Sequence, residues 1–99
     1  MFEIKFGDGG EIIMLGRFDA SQAEKAQEFL ATVNEAKTVD LGGLDYISSA
    51  GLATLLWTQK RLMESGVGLK LINVSSHINN IFQYTGFHQV FTIETAQAE

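Results

Sequence analysis

Apolar and polar residues alternate from the first positions, with Phe2, Ile4 and Phe6 on one side and Glu3 and Lys5 on the other. That is the period-two pattern of a strand with one buried face. Gly7-Asp8-Gly9-Gly10 follows, supplying residues that tolerate the positive φ of a hairpin loop. Glu11 to Phe18 predicts a second strand, and its unbroken run Ile12-Ile13-Met14-Leu15 is that of a strand covered on both faces. At Ser21 the period changes. Ala23, Ala26, Leu30 and Val33 form a helical stripe with Glu24, Lys25 and Glu28 opposite, and Ser21-Gln22-Ala23-Glu24 fits a capping box. A first helix of about four turns is expected there.

Thr38 to Leu41 predicts a short third strand closed by Gly42-Gly43, with a turn-like Leu44-Asp45-Tyr46-Ile47 after it. Ser48 or Ser49 can then cap a second helix, in which Leu52, Leu55, Leu56, Leu62 and Met63 share one face. Gly66 and Gly68 end it. Leu69 to Val74 reads as a buried strand, Ser75-Ser76 caps a third helix carrying Ile78, Ile81 and Phe82, and Gly86 stops that helix. Val90 to Ile93 predicts a last strand, with a frayed tail after Glu94. The order β-β-α-β-α-β-α-β implies an α/β fold: one domain over residues 1–99, a mixed sheet of about five strands and three or four helices. Right-handed crossovers make most pairings parallel and direct partners toward the loops at the strands' carboxyl ends, where Ser48-Ser49 sits.

Composition narrows the chemistry. With 45% hydrophobic and 10% aromatic residues in 99, the chain is an ordinary globular one. The absence of cysteine excludes disulfides, thiolate nucleophiles, iron–sulfur clusters and cysteine zinc sites together. His77 and His88 are the only histidines, and neither has neighbours at metal-ligand spacing. Twelve acidic against seven basic residues, a net charge of −5, argues against nucleic acid as a partner. The first ten residues are not a signal peptide and no stretch is long enough to insert in a membrane, so a cytoplasmic location is expected.

The stretch Asp45 to Leu52 carries the most chemistry. Two small hydroxyls at a strand-to-helix turn lie beside amides that have no intrahelical partner, where the helix dipole favours negative charge. A phosphate there, adding about −1.5 to −2 charges, is tolerated by its own domain and remakes an interface without refolding it. The plainer reading of the pair is a cap and its neighbour. Trp57 falls opposite the leucine stripe, near Lys60, Arg61 and Glu64, as an interface anchor or as packing against the next helix. Met14 and Met63 read as core filler, and His77 and His88 as solvent-facing or locally bonded.

The run Leu44-Asp45-Tyr46-Ile47-Ser48-Ser49-Ala50-Gly51-Leu52, preceded by Gly16-Arg17-Phe18-Asp19-Ala20 and followed by Phe82-Gln83-Tyr84-Thr85-Gly86-Phe87, resembles the STAS domain family, specifically bacterial anti-sigma factor antagonists. The resemblance covers nearly the whole chain. It implies a single STAS-like domain that regulates transcription by partner switching. An anti-sigma factor that is also a GHKL-type serine kinase would phosphorylate Ser49, and a PP2C-like phosphatase would reverse this. The unphosphorylated form would bind the anti-sigma factor and so release its sigma factor. Asp19 matches an acidic residue implicated in partner binding, Ser48 stands where aspartate is frequent and Ala50 where serine is. With Gly51 and Trp57 these complete the expected partner-binding set. The chain itself would be no enzyme, would need no cofactor, and would be a monomer or weak dimer. Its third strand looks shorter than the family's.

Two other readings stand beside that one. A STAS-type regulatory subunit of a transporter, lipid-trafficking or other signalling complex would keep the fold and drop the switch. A hydrolytic triad of Ser49, His77 and Asp19 lacks the Gly-x-Ser-x-Gly elbow and an oxyanion hole.

Overall fold

The predicted hairpin forms the start of the sheet. In the computed structural model, which describes residues 1–96, β1 (Phe2–Phe6) pairs antiparallel with β2 (Ile12–Phe18), Phe2 opposite Gly16 and Phe6 opposite Ile12. The remaining strands, β3 (Lys37–Ile47), β4 (Leu69–Val74) and β5 (Thr92–Thr95), add in parallel in the order β1-β2-β3-β4-β5. Between them come α1 (Ala23–Leu30), α2 (Ser49–Met63) and α3 (Ser76–Thr85). This is the mixed five-stranded α/β sheet with three helices that the chain's patterning predicts.

Each crossover steps one strand along the sheet in the same direction, so crossovers of one hand place all three helices on one face. Burial agrees. Ile12, Met14, Val39, Leu41, Leu69, Leu71 and Val74 point under the helices and are buried, whereas Ile13, Leu15 and Ile72 on the other face are only half-buried. The expectation that β2 is covered on both faces is therefore wrong: its second face has no layer over it. Phe6 is likewise 48% exposed: at the end of β1 it meets the flank of Phe29, ring centroids 4.8 Å apart, and the Lys37 ammonium, 5.3 Å from its ring centroid.

The third strand departs most from expectation. It runs eleven residues, through both glycines and through the segment read as a turn. Its buried residues are Val39, Leu41, Leu44 and Ile47, spaced two, three and three apart because β3 bulges twice against β2. Those bulges break the period of two that marks a strand in sequence. A Cβ at Gly43 would lie 2.2 Å from the end of the Leu15 side chain that crosses it, so a larger residue there would push that side chain aside. The first helix is correspondingly shorter than predicted, eight α-helical residues after a 3-10 turn at Ala20–Gln22.

Smaller differences have local causes. Met63 is 54% exposed in the same turn of α2 in which Leu62 is buried, because it falls at the outer margin of the apolar stripe, while Met14 is fully buried. Strand β5 begins two residues later than predicted and extends to Thr95, followed by a bond from the Ala96 amide to the Val74 carbonyl, 2.9 Å. The tail expected to fray falls partly on residues 97–99, outside the described residues.

Aromatic pairs close the core at two points, Phe2 stacked on Phe18 (4.7 Å) and Phe82 edge-on to Phe91 (5.7 Å). Gln59 is buried in the middle of α2 and ties the layers together. Its amide donates to the Val90 carbonyl at 2.8 Å, and its oxygen accepts the Leu69 amide at 2.7 Å. Arg61 reaches from α2 to the end of α1, donating to the Leu30 carbonyl (3.0 Å), which also accepts the Val33 amide (3.0 Å).

Candidate functional site

The carboxyl ends of β2 and β3 hold the residues singled out in the sequence. Phe18 and Ile47 are register partners, and the Ser48 amide donates to the Phe18 carbonyl at 2.9 Å. Asp19 and Ser49 thus each stand one residue past a single backbone hydrogen bond, which fixes how the two chain segments leave the sheet.

The two serines divide the local work. Ser48 is extended (φ −86°, ψ 171°) and caps α2: its hydroxyl oxygen accepts the Gly51 amide at 3.1 Å and its carbonyl accepts the Leu52 amide at 2.9 Å. A serine cap of this kind contributes about 1 kcal/mol. Ser49 is the first residue of the helix, exposed, and its hydroxyl has no hydrogen bond among the described residues. Gly51 is buried, and a Cβ there would meet the Phe18 carbonyl oxygen at 3.0 Å, Ile47 Cγ1 at 3.0 Å and Phe18 Cγ at 3.1 Å. Its smallness lets α2 start close against β2. Ala50 is half-buried, its carbonyl accepting the Thr54 hydroxyl at 3.0 Å.

Asp19, not Ser21, caps the turn that leads into α1. Its Oδ1 accepts the Ser21 amide (3.1 Å) and the Ser21 hydroxyl (2.5 Å), while Gln22 at the start of α1 makes no side-chain cap. The Ser21 hydroxyl is the main cause that holds the Asp19 carboxyl below its usual value; slight burial opposes it, and the Ser21 amide and the nearby Arg17 charge add to the lowering. Asp19 is therefore an anion at neutral pH. Arg17 itself lies opposite Tyr46 in the β2–β3 register, its Cζ 4.4 Å from the Tyr46 ring centroid. Sequence reading quoted both residues inside matching motifs but gave neither a role. They are 29 positions apart, and only the strand register brings them together.

Trp57 lies eight residues after Ser49, about 12 Å along the helix. It is 59% exposed, at the edge of a shallow groove of about 210 Å³ between α1 and α2 that Gln27, Ala31, Thr54, Thr58 and Arg61 also line. His77 is exposed on the first turn of α3, and His88 Nδ1 lies 3.4 Å from the Phe82 carbonyl. No hydrogen bond links His77 to Ser49 or Asp19 among the described residues, and no group of acidic residues and histidines there could hold a metal ion. No helix among those residues is long and apolar enough to cross a membrane.

Comparison with known proteins bears on this arrangement. The family model described as "Mlab, STAS domain" matches residues 8–94, a span from the first hairpin to β5. The chain belongs to the STAS domain family. This STAS domain is 33% identical over 86 residues to BtrV of Bordetella bronchiseptica, a proposed anti-sigma factor antagonist, covering 83% of this chain and 74% of BtrV. Among solved structures it is similar to the Bacillus cell fate determinant SpoIIAA in the phosphorylated form (TM-score 0.68, 17% identity, 96% of this chain and 92% of that one). It is also similar to a sulfate transporter family protein from Wolinella succinogenes (TM-score 0.72, 17% identity, 83% and 72%). At 17% identity these two establish the STAS fold alone.

Proposed function

We propose that this STAS domain is an anti-sigma factor antagonist, a protein-binding module whose affinity is switched by phosphorylation of Ser49. The observation that carries the reading is the division between the serines: Ser48 holds the turn, and the Ser49 hydroxyl is exposed on the first residue of a fifteen-residue helix with nothing to hold. A phosphate added there faces the positive end of the helix dipole, so the domain tolerates it. The likeness to BtrV supplies the class of partner, an anti-sigma factor, and the phosphorylated form of SpoIIAA is consistent with modification on this fold.

On this reading the unmodified face presents Asp19, Ser49 and Ala50, with Trp57 further along α2, to an anti-sigma factor that is also a GHKL-type serine kinase. Ser48 and Gly51 keep that face in shape. Transfer to Ser49 places negative charge inside the interface. Burying it unpaired costs about 3 kcal/mol or more, a loss of affinity of at least roughly a hundredfold, so the complex dissociates. A PP2C-like phosphatase restores binding. The kinase supplies ATP and magnesium, the STAS domain performs no chemistry of its own, and the cycle runs in the cytoplasm.

Co-purification with the candidate kinase tests this. Wild type and Ser49→Ala should be retained and Ser49→Asp lost, and ATP should release wild type but not Ser49→Ala. Equal retention of all three, with no phosphate incorporated at Ser49, would refute the proposal. If the domain instead came down with membrane transport subunits, indifferent to Ser49, a regulatory subunit of a transporter would be the better reading; the Wolinella likeness is what favours that second possibility.

A further inference from the structure

Strand β2 carries more apolar surface than one copy of the domain covers. Its run Ile12-Ile13-Met14-Leu15 is that of a strand packed on both faces, yet only Ile12 and Met14 lie under the helices. Ile13, Leu15 and Ile72 are left half-buried on the bare face, where a solvent-facing sheet surface normally alternates to polar residues. Gly42 and Gly43 beside them are exposed, and the Leu15 side chain lies across Gly43. The centre of the bare face is thus apolar and low.

Strand register orders the charges around this centre. Lys5 is level with Ile13 and Glu3 with Leu15. Along β2 itself, alternation puts Glu11, Ile13, Leu15 and Arg17 on the bare face, successive residues about 6.7 Å apart. A half-turn about an axis across the strands, passing between the Ile13 and Leu15 levels, lays each strand antiparallel over its own copy. Ile13 then faces Leu15, Glu3 faces Lys5 and Glu11 faces Arg17, each contact occurring twice by symmetry. Arg17, its guanidinium 4.4 Å above the Tyr46 ring, has no ion-pair partner within its own chain among the described residues. Asp40 is level with Ile13; its carboxylate accepts the Gly42 amide at 2.8 Å, and after the rotation it falls over Gly43 of the other copy, not over a second carboxylate. Lys70 and Glu94, at the far edge, pair with each other at 2.7 Å.

We infer that the bare sheet face binds a second copy of this chain, giving a two-fold dimer in which the two sheets pack face to face and the helices, with Ser49, stay outside. The second copy supplies the layer that the apolar run of β2 calls for. An apolar centre inside a rim of matched charges is the anatomy of a specific interface. Two copies of net charge −5 repel at long range, so association rests on the local match of signs and on the apolar centre. Size sets the strength. Five strands about 4.8 Å apart and seven residues long cover about 24 by 23 Å, roughly 550 Å² per copy, below the 800 Å² or so of a stable interface. The dimer is therefore a weak one.

Sedimentation equilibrium of the full chain, from about 1 µM to about 1 mM, tests this. Wild type should dimerise with a dissociation constant of about 10–500 µM. Ile13→Glu puts a carboxylate in the apolar centre and should stay monomeric over the whole range, with the circular dichroism of wild type. Glu3→Lys and Lys5→Glu each leave like charges facing one another, and each should raise the constant about five- to thirtyfold. Mixed in equal amounts, these two variants restore both pairs, so the mixture should associate more tightly than either alone. A wild type monomeric at about 1 mM would overturn the inference and leave the face to a different protein; a dimer that Ile13→Glu leaves intact would overturn it too. Should Ile13→Glu not fold, the mixing experiment decides, and no gain on mixing would overturn the two-fold arrangement equally. None of these readouts involves Ser49, so the inference and the proposed function stand or fall separately.

Discussion

Gly51→Ala sets two effects of known size against each other. Alanine is the better helix former, and replacing a helical glycine by it contributes about 0.5–1 kcal/mol. The added Cβ, however, meets three atoms at 3.0–3.1 Å, one of them the Phe18 carbonyl oxygen that the Ser48 amide fixes in place. The other two belong to Phe18 and Ile47, both buried, so neither can swing away. Overpacking of this kind costs about 1–3 kcal/mol. The clash wins by about 1 kcal/mol, which for a domain of this size lowers Tm by about 4–8 °C. Thermal and urea denaturation followed by circular dichroism measure it. An Ile47→Ala background removes one of the three contacts, so the penalty of Gly51→Ala should be smaller there. A Tm at or above that of wild type for the single variant would refute the close approach of α2 to β2.

Gln59→Leu should destabilise by about 2–4 kcal/mol, since it strands the buried Leu69 amide and the Val90 carbonyl together. Urea midpoints with an unchanged slope would register the loss, and a neutral result would mean that neither bond matters. Asp19→Asn should lower stability at neutral pH and matter less in acid. The carboxyl's pKa is lowered in the folded state, so its contribution is present above the ordinary value of 3.8 and disappears as pH falls below it. Denaturation of both proteins at pH 7 and pH 3 should show the two curves converging in acid, and a constant gap would contradict the role assigned to the Ser21 hydroxyl.

Where the pattern of residues in the sequence matched the structure, one local rule governed the segment. The third helix has its serine cap at Ser75, its apolar face and its left-handed stop at Gly86 within a dozen residues, and nothing distant alters them. The third strand could not be read in the same way, because its length comes from β2 and β4 on either side, and its two bulges give the buried residues a spacing foreign to strands. Asp19 shows a competition between neighbours: Ser21 and Glu24 satisfy the capping pattern, but Asp19 reaches the Ser21 amide first and the box does not form. Gln59 left a usable signal, a polar residue on the stripe between Leu55 and Leu62, where burial obliges it to find partners. Ser49 was legible as a hydroxyl at the right turn, and its separation from the capping role of Ser48 was not, since either serine satisfies the sequence rule.

On the function proposed above, the idle hydroxyl of Ser49 has a consequence for time as well as for affinity. Because the cap, the strand ends and the helix start are held by other atoms, a group attached to Ser49 has no backbone rearrangement to wait for, and side-chain reorientation takes only picoseconds to nanoseconds. The domain then keeps no memory of its previous state beyond the group itself. Response and recovery would run at the speed of the enzymes that write and erase the mark, and the same fold would serve a fast or a slow circuit according to those enzymes alone.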